Sequence, residues 1–103
     1  MITIWKYPIS LVGEFELEMP EGACILSVQM QGDQAQMWAL VNTERPRKKF
    51  AFKLVGTGHP LEHTTPWGHN FETHDWIFDY RGTFQVGRYV FHLFMMPPHA
   101  GAE

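Results

Sequence analysis

The stretch Glu14-Phe15-Glu16-Leu17-Glu18-Met19 alternates three carboxylates with three apolar side chains. Successive side chains of a strand point to opposite faces, so this pattern predicts a β-strand with one wet face and one packed face. Because proline cannot donate to a β-ladder, Pro20 is expected to end this strand.

The same alternation recurs on both sides of this stretch. It predicts further strands over residues 2–7, 23–30, 35–41, 48–55, 83–86 and 89–95. Gln31-Gly32-Asp33-Gln34 and Gly87-Arg88 are turn signals, so the strands that flank them are expected to pair antiparallel. The sequence therefore predicts an all-β fold, a small antiparallel sandwich or partly open barrel of about seven strands.

The length of 103 residues fits one domain, and the 45% hydrophobic content can supply its core without disulfides or metal. We expect a single β domain over residues 1–96, with a long loop over 57–80 and a flexible tail over 97–103. The lone cysteine, Cys24, favours a reducing compartment. No signal peptide or membrane span is apparent, so the sequence predicts a cytoplasmic protein.

Residues 56–80 interrupt the strand pattern and hold most of the histidines together with several aromatic side chains. Imidazole is a common zinc ligand, which makes these histidines a candidate metal site. The candidate ligands are His59, His63, His69 and His74. Their spacing matches no established metal-binding motif, and solvated loop histidines are the competing interpretation. A metal- or small-ligand-binding protein is therefore an alternative hypothesis, and no cofactor is predicted.

No catalytic residue is predicted. The sequence lacks a Gly-x-Ser-x-Gly elbow and a phosphate-binding glycine loop. By alternation Cys24 shares the apolar face of its strand with Leu26, Val28 and Met30, where a buried thiol is unreactive. His92 is interpreted as a sheet-face histidine whose ring nitrogens are both hydrogen-bonded. These features favour a protein that is not an enzyme.

Aromatic side chains on a rigid β scaffold are typical of protein-binding surfaces. The candidate partner-binding residues are Trp5, Tyr7, Trp67, Phe71 and Trp76. Trp5 and Tyr7 lie on the opposite face of the first strand from Ile2 and Ile4, and core positions for both rings are the alternative. Self-association also covers apolar surface and edge strands, so a homo-oligomer is favoured. The leading hypothesis is a protein-interaction module.

A basic run gives a further hypothesis, a β-barrel that binds single-stranded nucleic acid. The run consists of Arg45, Arg47, Lys48 and Lys49. A net charge of −3 opposes this hypothesis, because nucleic-acid-binding proteins usually carry a basic face. Cations beside Pro46 are more often part of a solvated turn. Neither nucleic acid nor membrane is therefore an expected partner.

Several blocks of sequence together are characteristic of one family. They are Ile4-Trp-Lys-Tyr-Pro8, Met19-Pro-Glu-Gly-Ala23, Gly56-Thr-Gly-His-Pro60 and Gly82-Thr-Phe-Gln85. In this order, and over most of the chain from Ile4 to Phe94, the sequence resembles an uncharacterised family of small proteins encoded by bacteriophages and by bacterial genomes that carry prophages.

The resemblance implies a phage or prophage origin and an intracellular setting in a bacterial host, but no activity. Small phage proteins outside the virion often bind and divert a host protein, which makes a host protein the expected partner. The link between the last two blocks is often shorter in that family, so the resemblance implies nothing about the loop.

Overall fold

A computed structural model describes residues 1–61 and 79–96, and these residues form seven β-strands. The strands are β1 (Ile2–Pro8), β2 (Glu14–Pro20), β3 (Cys24–Gln31), β4 (Gln34–Asn42), β5 (Arg47–Gly56), β6 (Tyr80–Val86) and β7 (Tyr89–Met95). Each predicted strand is present, with its ends within about three residues of the expected ones. The all-β prediction is confirmed.

The strands form two antiparallel sheets. Sheet A has the order β1-β4-β3, and sheet B has the order β2-β5-β7-β6. Across the sandwich, β3 of sheet A packs against β6 of sheet B. In the described part of the chain the sheets do not close on each other through hydrogen bonds, so the strands form no closed barrel, and the predicted sandwich fits the structure.

The core lies between the two sheets, where alternate side chains of every strand meet. Its most deeply buried members are Ile9, Met19, Ala35, Met37, Ala39, Val41, Phe52, Phe84 and Leu93. On β2 the predicted alternation is observed, because Phe15 and Leu17 pack against this core while the three glutamates are exposed. Phe15 also stacks on Phe52, with ring centroids 5.2 Å apart.

Both two-residue hairpins use glycine in the same way. Gly32 and Gly87 have φ values of 64° and 59°, and no described residue other than glycine has a positive φ. A positive φ at the first turn position alone is the pattern of a type II′ turn, whose twist matches that of paired strands. The predicted pairing of the flanking strands, β3 with β4 and β6 with β7, is confirmed.

A β-bulge between Ile25 and Ser27 changes which side chains of β3 face the core. Ile25 faces inward before the bulge, and Val28 and Met30 face inward after it. Cys24 therefore lies on the outer face, where it is exposed. The prediction that Cys24 shares a packed face with Val28 and Met30 is wrong, because the bulge inserts one extra residue between them.

Strand β5 ends at Gly56 and β6 begins at Tyr80, and the predicted long loop over 57–80 stays a prediction. Residues 62–78 of this connection, and the tail over 97–103, lie outside the described residues.

Candidate functional site

The outer face of sheet A carries a group of exposed apolar side chains. We call this surface the apolar face and define it by Ile2, Ile4, Cys24, Leu26 and Leu40. In the strand register Ile4 lies opposite Leu40, and Leu40 lies opposite Cys24, so each strand contributes to one row across the sheet. Ile2 is 70% exposed, Ile4 and Leu26 are each 53% exposed, and Leu40 is 40% exposed. A contiguous exposed apolar surface is typical of an interaction site.

Lys6 belongs to the row next to that of Ile4 and Leu40, and its side chain extends across this face. Lys6 lies opposite Trp38 of β4, and its Nζ donates a 2.6 Å hydrogen bond to Oε1 of Gln31 on β3. Because β4 lies between β1 and β3, the methylene stem of Lys6 spans the sheet and covers apolar surface. Gln36 points to the same face and is only 9% exposed. The apolar face is thus bordered by amides and by one cation that is already hydrogen-bonded.

Acidic residues are missing from the strand positions of this face. The outward side chains of β1, β3 and β4 are apolar, amide or thiol groups apart from Lys6 and Ser27. Sheet B differs, because the outer side of β2 carries three exposed glutamates. On β5 the side chains of Lys53 and Lys49 lie opposite Glu14 and Glu18, so the outer face of sheet B is charged with both signs, whereas that of sheet A is mainly apolar.

Trp5 and Tyr7 lie on the inner side of β1, half-buried and packed against the core. The guanidinium of Arg47 lies 5.5 Å from the centroid of the Trp5 ring, within the range of a cation–π contact. These positions correspond to the alternative of core rings, and the large aliphatic side chains that β1 exposes are Ile2 and Ile4. The other predicted partner-binding residues, Trp67, Phe71 and Trp76, lie outside the described residues.

The Tyr7 hydroxyl is buried and has no hydrogen-bond partner among residues 1–61 and 79–96. Desolvation raises the pKa of Tyr7, and the nearby Arg47 guanidinium opposes this rise. A raised pKa means that the folded state holds the phenolic proton more tightly than the unfolded state. The stabilising contribution of Tyr7 is therefore complete below about pH 10, the pKa of the group in the unfolded chain. It is lost as the pH rises through the higher pKa of the folded state.

We expect Tyr7→Phe to change the free energy of unfolding at pH 7 by about 1 kcal/mol or less, because it removes a hydroxyl that has no partner. Above about pH 10 the wild type should lose stability relative to the variant, which has no proton to lose there. Urea denaturation at pH 7 and above about pH 10 measures the difference in the free energy of unfolding between the wild type and the variant. The contributions of all other titrating groups cancel in this difference. A difference that does not change with pH would contradict this account of Tyr7.

His92 belongs to a chain of hydrogen bonds on the outer face of sheet B. Its Nε2 lies 2.6 Å from Oγ1 of Thr57, and its Nδ1 lies 3.0 Å from Oγ1 of Thr83. The Thr83 hydroxyl is in turn 2.5 Å from the Tyr80 hydroxyl. Both ring nitrogens are satisfied, so the interpretation of His92 as a hydrogen-bonded sheet-face histidine is confirmed.

The basic run at the start of β5 is partly neutralised by β2 and by the turn that follows it. Arg45 forms an ion pair with Glu21, and Lys49 lies opposite Glu18 in the strand register. The other two cations of the run are exposed. A role for this run in nucleic-acid binding stays a prediction.

The candidate metal ligands are only partly described. His59 lies on the turn after β5 and is exposed, whereas His63, His69 and His74 lie outside the described residues. Among residues 1–61 and 79–96 there is no group of three or more His, Cys, Asp or Glu side chains that could hold a metal ion. The four-histidine site stays a prediction.

Comparison with known proteins gives one family. Residues 1–102 match the model of a domain of unknown function, DUF7352. The chain belongs to the DUF7352 family. This match confirms the resemblance to an uncharacterised family. Because the family has no assigned function, the match neither supports nor opposes the prediction that the protein is not an enzyme. No curated protein and no solved structure gave a significant match. In the described ranges of this DUF7352 protein no helix is long and apolar enough to cross a membrane.

Sequence reasoning missed the apolar face, although two signals were present. Strand β1 carries large apolar side chains on both sides, Ile2 and Ile4 on one and Trp5 and Tyr7 on the other. Strand β4 likewise has Leu40 outside and Met37 inside. In a two-layer sandwich only one side of each sheet meets the other sheet, so a strand that is apolar on both sides indicates a second contact surface.

Proposed function

We propose that this protein is a non-enzymatic protein-interaction module whose partner binds the apolar face of sheet A. The observation that carries the proposal is the row of Ile4, Leu40 and Cys24 across three strands, with both large aliphatic side chains at least 40% exposed. A small domain that leaves such a row in water forgoes burial worth about 25 cal/mol per Å². A partner that covers the row recovers that free energy.

The chemistry of the face limits the partner. No strand residue of this face is acidic, and its one strand cation, Lys6, lies beside the row of Ile4 and is hydrogen-bonded to the neutral amide of Gln31, so the centre of the face is uncharged. The matching surface is apolar and uncharged at its centre, with hydrogen-bonding groups at its rim. A face only three strands wide covers on the order of 300–500 Å², less than the roughly 800 Å² per partner of a stable interface. The complex formed through this face alone is therefore weak and transient.

A second copy of the chain presents a surface of this kind, and self-association is the first form of the proposal. The second form is a host protein, as the resemblance to phage and prophage proteins implies. In both forms the apolar face is the contact surface, and in both the cell interior is the setting. The proposal does not involve the basic run or the histidines of the long connection.

The single cysteine gives a direct measurement, because Cys24 lies within the apolar face and is exposed. A thiol reagent should label Cys24 rapidly in dilute protein, and a partner that covers the face should slow the labelling. If copies associate, the labelling rate will fall as the protein concentration rises, in step with the mass measured by light scattering. If the protein stays monomeric and labelling is constant, the self-association form is wrong.

We expect Ile4→Lys to weaken partner binding at least about tenfold, because it places a charge in the centre of the row. Ile4 is 53% exposed, so the free energy of unfolding should change by less than about 1 kcal/mol. The matched control is Leu11→Lys, which introduces the same charge at a residue 51% exposed in the connection between β1 and β2.

Protection of Cys24 by a second copy or by a host-cell extract should be lost in Ile4→Lys and kept in Leu11→Lys. Equal protection in both variants would show that the partner does not bind the apolar face.

A further inference from the structure

An open groove of about 490 Å³ lies at one end of sheet B, between the end of β5 and the start of β7. Its walls include Thr57, His59, Arg88, Tyr89 and Phe91. This volume falls in the range of about 300–1,000 Å³ that is typical of small-molecule sites. The groove belongs to the other sheet from the apolar face, and the protein-interaction proposal does not use it.

The block Gly56-Thr57-Gly58-His59 builds one wall of the groove. Gly58 has φ of 87°, and the His59 amide donates a 3.0 Å hydrogen bond to the Gly56 carbonyl. A positive φ at the third residue of such a turn is the type II pattern, which strongly favours glycine. The turn folds the His59 ring back over Gly56, where an added Cβ would lie 3.1 Å from Nδ1. Gly58 is thus favoured by the backbone of the turn, and Gly56 by the close approach of the His59 ring. Together they set the position of the His59 imidazole.

The polar side-chain groups of the groove are a cation, an imidazole and two hydroxyls, and none of its described lining residues is acidic. The described ion pairs engage Arg45 and Lys53 with glutamates, whereas Arg88 forms none of them. The Arg88 guanidinium lies 5.4 Å from the centroid of the Tyr89 ring, and its Nη2 is 3.5 Å from the Tyr89 hydroxyl. In a chain with a net charge of −3, this is a local positive region beside an aromatic wall.

The hydroxyl of Thr57 is held in place from behind. Its Oγ1 lies 2.6 Å from Nε2 of His92, and its amide donates a 3.0 Å hydrogen bond to the carbonyl of Val90. His92 is therefore a positioning residue for this wall of the groove. A polar group fixed in this way loses little entropy when a ligand binds to it.

We propose that the groove binds a small organic phosphate. The planar guanidinium of Arg88 suits bidentate contact with a phosphate, and His59 and Thr57 line the same groove with further hydrogen-bonding groups. A phosphate carries more negative charge than a carboxylate and has three terminal oxygens, so it suits a cation with several hydrogen-bonding groups around it better. Tyr89 and Phe91 provide apolar and aromatic surface for the organic part of the ligand.

Three probes distinguish the contribution of the cation from that of the aromatic wall: phenyl phosphate, inorganic phosphate and phenol. Each is titrated into the full chain, and binding is followed by NMR shifts of the Arg88 and Tyr89 backbone amides. Phenyl phosphate should bind at least about tenfold more tightly than either of the other probes, because only it uses both the cation and the aromatic wall. Equal weak binding of phenyl phosphate and inorganic phosphate would reduce the groove to a general anion contact and overturn the proposal.

Arg88→Gln should weaken phenyl phosphate binding at least about tenfold, and Arg45→Gln is the matched control because it removes an equal charge elsewhere. His59→Ala is a second variant on the opposite wall, and it should also weaken binding. Circular dichroism and thermal unfolding check that each variant is folded. The proposal is wrong if Arg88→Gln and Arg45→Gln weaken binding equally, or if wild-type shifts do not occur in the groove. Neither result would affect the apolar face, which the Cys24 measurement tests separately.

Discussion

Replacing Phe52 by alanine is expected to lower the free energy of unfolding by about 3–5 kcal/mol. Phe52 is 1% exposed and stacks on Phe15, and in the strand register it lies between Phe15 of β2 and Met95 of β7. The substitution removes the largest fully buried side chain and leaves a cavity between the sheets, and rigid strand backbones cannot collapse into it. Since domains of this size are stable by about 5–15 kcal/mol, this loss is a large share of the total, and at the lower end of that range the variant would be close to unfolding at 25 °C.

Urea denaturation followed by circular dichroism measures this effect, and Leu11→Ala provides the control. Leu11 is 51% exposed in a connection, so truncating it should change the free energy of unfolding by about 0.5 kcal/mol or less. A loss below about 1 kcal/mol in Phe52→Ala would mean that β5 does not stand at the centre of the core.

Period-two alternation is a local signal, and for that reason it predicted the strands well. Glu14 to Met19 alternates without exception, and the structure places its glutamates outside and its apolar residues inside. The hairpin turns at Gly32 and Gly87 were also predictable, because only a few residue types adopt their backbone conformation. How the strands divide between two sheets was not predictable, since β2 pairs with β5 and β1 with β4 across long separations in sequence.

The candidate site shows where local signals fail. Alternation in β1 separates Ile2 and Ile4 from Trp5 and Tyr7, but it cannot say which pair faces the other sheet. Larger aromatic rings gain more from burial, and in the structure they take the inner side. Cys24 lies on the outer face because of the β-bulge between Ile25 and Ser27. No residue pattern in the sequence indicates this bulge. The groove depends on Arg88 and His59, which are far apart in sequence. They line the same groove because β5 pairs with β7.

Gly82→Ala is the second substitution for which we expect a large effect, and no sequence pattern would identify it. Gly82 lies on β6, and an added Cβ would lie 2.8 Å from Cβ and 2.9 Å from Cγ2 of Val28 on the opposite sheet. Val28 is 8% exposed and branched at Cβ, so it cannot rotate away from the new methyl group. We expect overpacking to lower the free energy of unfolding by about 1–3 kcal/mol. Gly13→Ala is the control, because its Cβ would meet nothing within 4 Å.

A double variant tests whether this contact acts as described. Val28→Gly removes Cβ and both Cγ atoms of Val28, which the new methyl group would meet at 2.8, 2.9 and 3.7 Å, and on its own it leaves a gap that the Gly82→Ala methyl would partly fill. The two substitutions should therefore cost less together than the sum of their separate costs, by at least about 1 kcal/mol. Simple additivity would show that β3 and β6 do not approach closely here. Because β3 supplies Cys24 and Leu26 to the apolar face, this inter-sheet contact also fixes the position of the surface on which the proposed function depends.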